Sequence, residues 1–387
     1  MQELNPSRNR IESIDLLKGL VMVVMALDHT RDYFHIAANY YDPTDPTQTT
    51  WAIYFTRWIT HFCAPTFSFL AGISAFIAGR KKTKRELSGF LFKRGLWLVF
   101  IELTIVNFAW TFDVRFETDG LAVIWALGIS MIVLAALVYL PRTVILIISL
   151  VLIFGHNLLD SIHFKGSVLW AMLHESSDFS FSDHFKFYVQ YPVIPWIAVM
   201  SLGYCFGNLY EKSVDKVKRK KILNVIGISS IILFIIIRKI NIYGNLTSWV
   251  QYDTILKTME SFLNPTKYPP SLLYLLMTLG CAILFLANSE NLRGRIVNFF
   301  STFGRVPFFY YILHLYLIHI LALFFAQFSG YGWHSMILTG WIPQGYGFPL
   351  WVVYVVWIGV IAFLYPFCKK FETYKMNHKE KWWLSYL

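Results

Sequence analysis

Lys18 and His29 stand eleven residues apart in residues 11–34, IESIDLLKGLVMVVMALDHTRDYF, with Asp15 near one end of the stretch and Asp28, Arg31 and Asp32 near the other. An imidazole titrating near neutrality is suited to take a proton from an attacking amine or hydroxyl, and an ammonium is suited to hold an anionic group. On a helix of about 100° per residue, eleven residues make about three turns and return to within about 20° of the same face. Lys18, Met22, Met25, His29 and Asp32 then share one stripe, whereas Asp28 points elsewhere. A rise of about 1.5 Å per residue sets the ammonium and the imidazole roughly 16 Å apart along that stripe. Asp32, one turn beyond His29, is placed to orient its ring and to stabilise the imidazolium.

What must position these groups is a membrane-embedded bundle. The chain has 387 residues, 56% of them hydrophobic and only 15% charged, against roughly 25% charged in soluble domains. Its mean hydropathy is +0.50, and apolar segments near twenty residues recur along it. These features give an all-α polytopic membrane protein of about ten helices. The net charge of +11 does not point to nucleic acid, because the Lys and Arg residues lie between apolar segments instead of on one face. Four cysteines without a CxxC pair give neither a disulfide framework nor a zinc site, and no metal is expected. Arg8 and Arg10 precede the first apolar run as in a signal peptide. That run meets DHTRD without a small-residue cleavage site, so it reads as a retained first helix.

Further helices are expected at about 51–78, to about 113, at 121–140 and at 143–159. They continue through YPVIPWIAVMSLGYCFGNLY, to about 238, from KYPPSLLYLLMTLG, and at about 306–325 and 350–367. The dense basic clusters follow the second and sixth helices, span residues 293–305 and fill the tail, all on one side of such a bundle. The positive-inside rule makes that side cytoplasmic, with both termini on it. Lys18 is then near the cytoplasm and His29 near the outer face. No loop is long enough for a soluble domain, so residues 1–387 read as a single transmembrane domain.

Other polar groups fall inside the apolar segments. Arg57 and His61 share a helix face at i, i+4, and an ion pair of Arg57 with Asp28 or Asp32 is its ordinary role. His61 is as well explained by an interhelical hydrogen bond. Glu102 and Asn107 lie within the third helix, where a carboxylate needs a partner. His314 and His319 are five residues apart, about 140° round a helix, which does not match the i, i+4 pair of a zinc motif. YPVIPW and KYPPSL set prolines at helix starts, leaving unpaired N–H groups toward the outer side, where an anionic group could be held.

The stretches RIESIDLLKGLVMVVMALDHTRDYF, TRWITHFCAPTFSFLAG, LAVIWALGISMIVLAALVYLP, YPVIPWIAVMSLGYCFG, KYPPSLLYLLMTLG and GRVPFFYYILHLYLIH, in that order, resemble the bacterial relatives of the heparan-alpha-glucosaminide N-acetyltransferase family. The Lys18-x10-His29 spacing also resembles the Arg/Lys-x10-His signature of the acyltransferase-3 family. The resemblance implies a multi-pass protein of the plasma (inner) membrane, surrounded by lipid, with helices around a central acyl-CoA channel. An acyl group, acetyl for the closest fit, would pass from cytoplasmic acetyl-CoA to a glycan or amino-sugar acceptor at the outer face. His29 would be the base, with His35 as a second candidate in the stretch that follows. Lys18, Arg293 and Arg305 would hold the donor, and Asp28, Arg57, His61, Trp196, Tyr311 and His314 would bind the acceptor or support the site. A homo-oligomer is compatible with this reading. The competing class is a transporter of a lipid-linked sugar or small anion, against which the chain shows no duplicated halves.

Overall fold

A computed structural model describes residues 11–38, 40–182, 184–337 and 342–385; Arg8 and Arg10 lie outside them. Among the described residues seven helices are long and apolar enough to cross a membrane: Trp51–Gly79, Arg142–Leu159, Val193–Tyr210, Lys216–Ile240, Leu272–Ser289, Pro307–Phe328 and Leu350–Asn377. The chain is an all-α polytopic membrane protein. Three further helical stretches, Glu12–Phe34, 84–111 and Val123–Leu137, pack among these seven.

The first helix, Glu12–Phe34, stands between two apolar clusters. Its Met22, Val23, Ala26 and Leu27 join a cluster with residues of the 84–111, Val123–Leu137, Pro307–Phe328 and Leu350–Asn377 helices. Its Ile14, Leu17 and Val21 join another with Phe69, Val199 and Leu272–Leu276. Sixteen of its 23 residues are buried, so it has no solvent or lipid face of its own. That explains why it carries polar groups at both ends: its sides meet other helices or an internal cavity.

Several expected boundaries change for local reasons. The third helix is not continuous. Thr83 and Glu86 close a capping box at its start, and a π-helical segment, Glu102–Val106, then interrupts it before it resumes at Asn107–Thr111. Residues 293–305, read above only as a basic cluster, contain a helix, Arg295–Arg305, laid against the first. The two backbones approach where both lack side chains: a Cβ at Gly19 would lie 1.8 Å from the Phe300 carbonyl oxygen, and one at Gly304 1.8 Å from that of Asp15.

A small sheet was not anticipated at all. Strands β1 (Thr118–Leu121), β2 (Ser177–Ser182) and β3 (Phe185–Val189) lie in the order β1-β3-β2. β3 runs parallel to β1, with Thr118 opposite Lys186 and Leu121 opposite Val189, and antiparallel to β2. Two loops far apart in sequence are thereby joined. Alternation of Phe179, Phe181, Phe185 and Phe187 with polar residues is a strand pattern that the surrounding apolar helices obscured.

The contact between the first helix and Arg295–Arg305 yields a prediction. Gly304→Val, with no space for its side chain, should lower the thermal unfolding temperature of the detergent-solubilised protein, an overpacking cost of about 1–3 kcal/mol or more. Gly89→Ala, in a helix with nothing within 4 Å of the added Cβ, should leave it unchanged or raise it slightly, by the roughly 0.5–1 kcal/mol helix preference of alanine.

Candidate functional site

One cavity of about 1010 Å³ runs among the helices, and three of them repeat the same order of side chains along it. Lys18, Met25 and His29 line it in turn on the first helix. Ser74, Ala71, Phe67 and Thr60 do so from the opposite chain direction in Trp51–Gly79, and Arg94, Leu98 and Glu102 do so in the 84–111 stretch. Each helix therefore offers a polar group at one end, an apolar middle and a polar group at the other. From the helix rise, Lys18 and His29 set the length between the two polar ends at about 16 Å.

At the Lys18 end the ammonium Nζ donates to Ser74 Oγ at 2.7 Å; Arg94 also lines the cavity. Ser74 is little more than a turn before Gly79, so the turn that follows, with Arg80, Lys81 and Lys82, and the start of the next helix, with Lys84 and Arg85, lie toward this end of the bundle. Arg293 and Arg305, assigned above to the donor, are not among the cavity's lining residues. Arg293 is paired with Glu12 at 3.0 Å, and Arg305 with Glu372 at 2.7 Å and Asp15 at 3.6 Å. These pairs fix Arg295–Arg305 and the last long helix to the first helix, which explains why those basic residues lie where they do.

At the His29 end charges are buried together. Asp28 accepts from Arg57, from Arg31 at 3.1 Å, and faces Lys267 at 3.7 Å. Asp28 was expected to point away from the stripe, yet it lines the cavity, because the cavity wraps round more than one face of the first helix. Asp32, expected to orient His29, accepts from Arg31 instead, at 2.5 Å. The ring partner of His29 is His314, whose Nε2 is 2.8 Å from His29 Nδ1. Trp110 meets the His29 ring edge-on at 4.8 Å, and Tyr311, which lines the cavity, does so at 6.2 Å.

His61, Trp196, His35 and His319 fall outside the cavity wall. His61 is buried, with Nδ1 facing the Arg57 and Trp58 carbonyls at 3.2 and 3.1 Å, which is a packing role for its imidazole. Trp196 is buried against Tyr191, with ring centroids 5.3 Å apart. His35 follows the first helix, its Nδ1 accepting from the Ala37 N–H at 3.3 Å. Burial, and then the Arg31 guanidinium, hold its imidazole below the usual range. His319 has Nδ1 2.8 Å from the Ala109 carbonyl and Nε2 2.7 Å from that of Met336, and so ties two segments together. KYPPSL gives no free anion site: Ser271 Oγ accepts from Tyr274 N–H, Asn157 Oδ1 from Leu272 N–H and the Gly244 carbonyl from Leu273 N–H.

Sequence reasoning passed over three contributors. Arg94 closes the basic stretch of residues 79–94, nearly three turns into the helix that begins at Lys84, and reads as part of that stretch. Lys267 begins the KYPPSL motif, where attention falls on the prolines. The sheet covers the His29 end: Thr118, Asp178, Lys186 and Tyr188 all face into the cavity. Glu102, at the start of the π-helical segment, accepts from the Trp125 N–H at 2.9 Å. It supplies the acceptor missing at the start of Val123–Leu137, whose own N-cap, Ala122, has none. π-Helical turns often accompany functional sites, and here the turn brings a carboxyl into the cavity.

A family model described as heparan-alpha-glucosaminide N-acetyltransferase, catalytic, matches residues 10–239 of the chain. No curated protein matches it.

Removal of Asp28 tests the ion cluster. Asp28→Ala leaves Arg57 and Lys267 facing one another without their carboxylate and Arg31 with Asp32 alone, and should destabilise the protein by about 3–5 kcal/mol. Adding Lys267→Met to that variant should recover part of the loss. Both effects are measurable by thermal unfolding in detergent.

Proposed function

The chain belongs to the heparan-alpha-glucosaminide N-acetyltransferase catalytic family and is a membrane acetyltransferase; from this and the cavity we propose that it transfers acetyl from acetyl-CoA to a sugar amine or hydroxyl. The observation that carries the reading is the order of side chains along the cavity: cations, an apolar middle, then an imidazole. This suits a donor with anionic phosphates at one end, an uncharged arm and a reactive thioester at the other.

Lys18 and Arg94 hold the phosphates by charge-assisted hydrogen bonds. Met25, Phe67, Ala71 and Leu98 line the path of the arm. The thioester comes to His29, the acceptor enters beneath the sheet, and His29 acts as general base. As the acceptor nitrogen or oxygen bonds to the acyl carbon, its proton passes to His29; the carbon–sulfur bond breaks, and the leaving thiolate takes the proton back. Arg57 and Lys267 keep that wall cationic, which favours the negative charge that builds on the thioester oxygen.

The positive-inside rule sets the Lys18 end at the cytoplasm and the sheet at the outer face. With the three more polar or shorter helices counted as crossings, ten spans return both termini to the cytoplasmic side. A bacterial plasma membrane suits this direction of transfer.

The test is acetyl-CoA binding and thioester cleavage by the purified protein in detergent. His29→Ala should keep binding and lose cleavage by at least about 100-fold, the usual contribution of a general base. Arg94→Ala should raise the KM for acetyl-CoA about tenfold, as expected for losing a hydrogen bond between charged partners. Arg293→Ala should change neither. Well-folded protein that binds no acetyl-CoA would refute the reading and direct attention to flux of a sugar or anion in liposomes.

A further inference from the structure

The imidazole of His29 has a definite hydrogen position, set by a second histidine that the family match does not reach. His314 lies beyond residues 10–239, is fully buried and is not among the residues lining the cavity. Its Nδ1 is 2.9 Å from the Tyr310 carbonyl oxygen. A carbonyl only accepts, so the hydrogen of a neutral His314 resides on Nδ1 and its Nε2 carries a lone pair. That Nε2 lies 2.8 Å from His29 Nδ1, so His29 Nδ1 must donate. The only hydrogen of a neutral His29 is then on Nδ1, and its Nε2 lone pair remains for the cavity, with no hydrogen-bond partner for it among the described residues.

We propose that His314 is the positioning residue for His29, holding it in the tautomer whose Nε2 accepts a proton. The proposal rests on the reading of His29 as the base. The opposite tautomer pair would set the His314 Nδ1 lone pair against the Tyr310 carbonyl, two acceptors face to face. The rings leave little freedom to escape this. His29 and His314 lie within 5° of parallel, with centroids 5.0 Å apart, and Tyr310 stacks on His314 at 5.0 Å. Trp110 closes the edge of His29.

The same arrangement acts during transfer. When His29 Nε2 takes the acceptor proton, the ring becomes an imidazolium and Nδ1–H still points at the His314 lone pair. That hydrogen bond becomes charge-assisted and roughly twice as strong. The gain exists only once charge has developed, so it lowers the barrier without tightening substrate binding. His314 touches no reacting atom and gives up no proton of its own.

The experiment uses full-length protein in detergent with acetyl-CoA as donor and glucosamine as the probe acceptor. His314→Leu removes the lone pair and should lower kcat about 100-fold, with the KM for acetyl-CoA within about twofold. His314→Gln restores an amide oxygen as acceptor and should return kcat to within about tenfold of the parent. An equal loss in both variants, or a His314→Leu enzyme within about twofold of the parent kcat, would overturn the proposal. Independently of activity, 15N NMR of histidine-labelled parent protein should show His29 protonated on Nδ1 and bare on Nε2; a hydrogen on Nε2 would overturn it. Should the parent transfer nothing, or His29→Ala transfer normally, the reading of His29 as base fails, while the NMR result still decides whether His314 sets its tautomer.

Discussion

A carboxylate buried with three cations is the constraint around which this bundle is assembled. Asp28 is held from its own helix by Arg31, from the second helix by Arg57 and from the loop before the Leu272–Ser289 helix by Lys267. Each ion would be costly alone in a medium of low dielectric constant. Together they are tolerable only if all three segments arrive in register. The residue after Asp28 is His29, so the alignment that satisfies the charge also sets the imidazole in the cavity wall. Structure and chemistry share one turn of helix.

The first helix makes this economical because it is surrounded. Gly19 and Gly304 let Arg295–Arg305 approach on one side, while the two apolar clusters enclose the remainder. A helix whose sides meet other helices or an internal cavity can carry an ammonium, a carboxylate and an imidazole without exposing any of them to lipid. The repeated order of polar, apolar and polar side chains on three neighbours then follows from parallel alignment of their lengths. It produces one passage with two unlike ends.

The membrane class, most helix limits and the importance of residues 11–34 were legible because hydropathy and helical period act locally. The Lys18–His29 stripe was legible for the same reason. Partners were not. Asp32 looked like the companion of His29 since it is one turn away, but Arg31 lies closer to it and takes it. His314 is 285 residues from His29, and its spacing from His319 spoke only against a metal. Arg293 and Arg305 were given to the donor through the resemblance, whereas acidic residues of the first and last long helices pair with them. The sheet escaped notice because β1 finds its parallel partner across more than sixty residues, a distance over which sequence pattern carries no register.

The roof over the His29 end is made from loops, while its walls are helices that the ion cluster locks together. β2 and β3 contribute side chains to the cavity without contributing to either of the two large apolar clusters. Selection can therefore act on the two parts separately. Exchanges in the hairpin would change the side chains over the His29 end of the cavity and leave the helical packing beneath them intact.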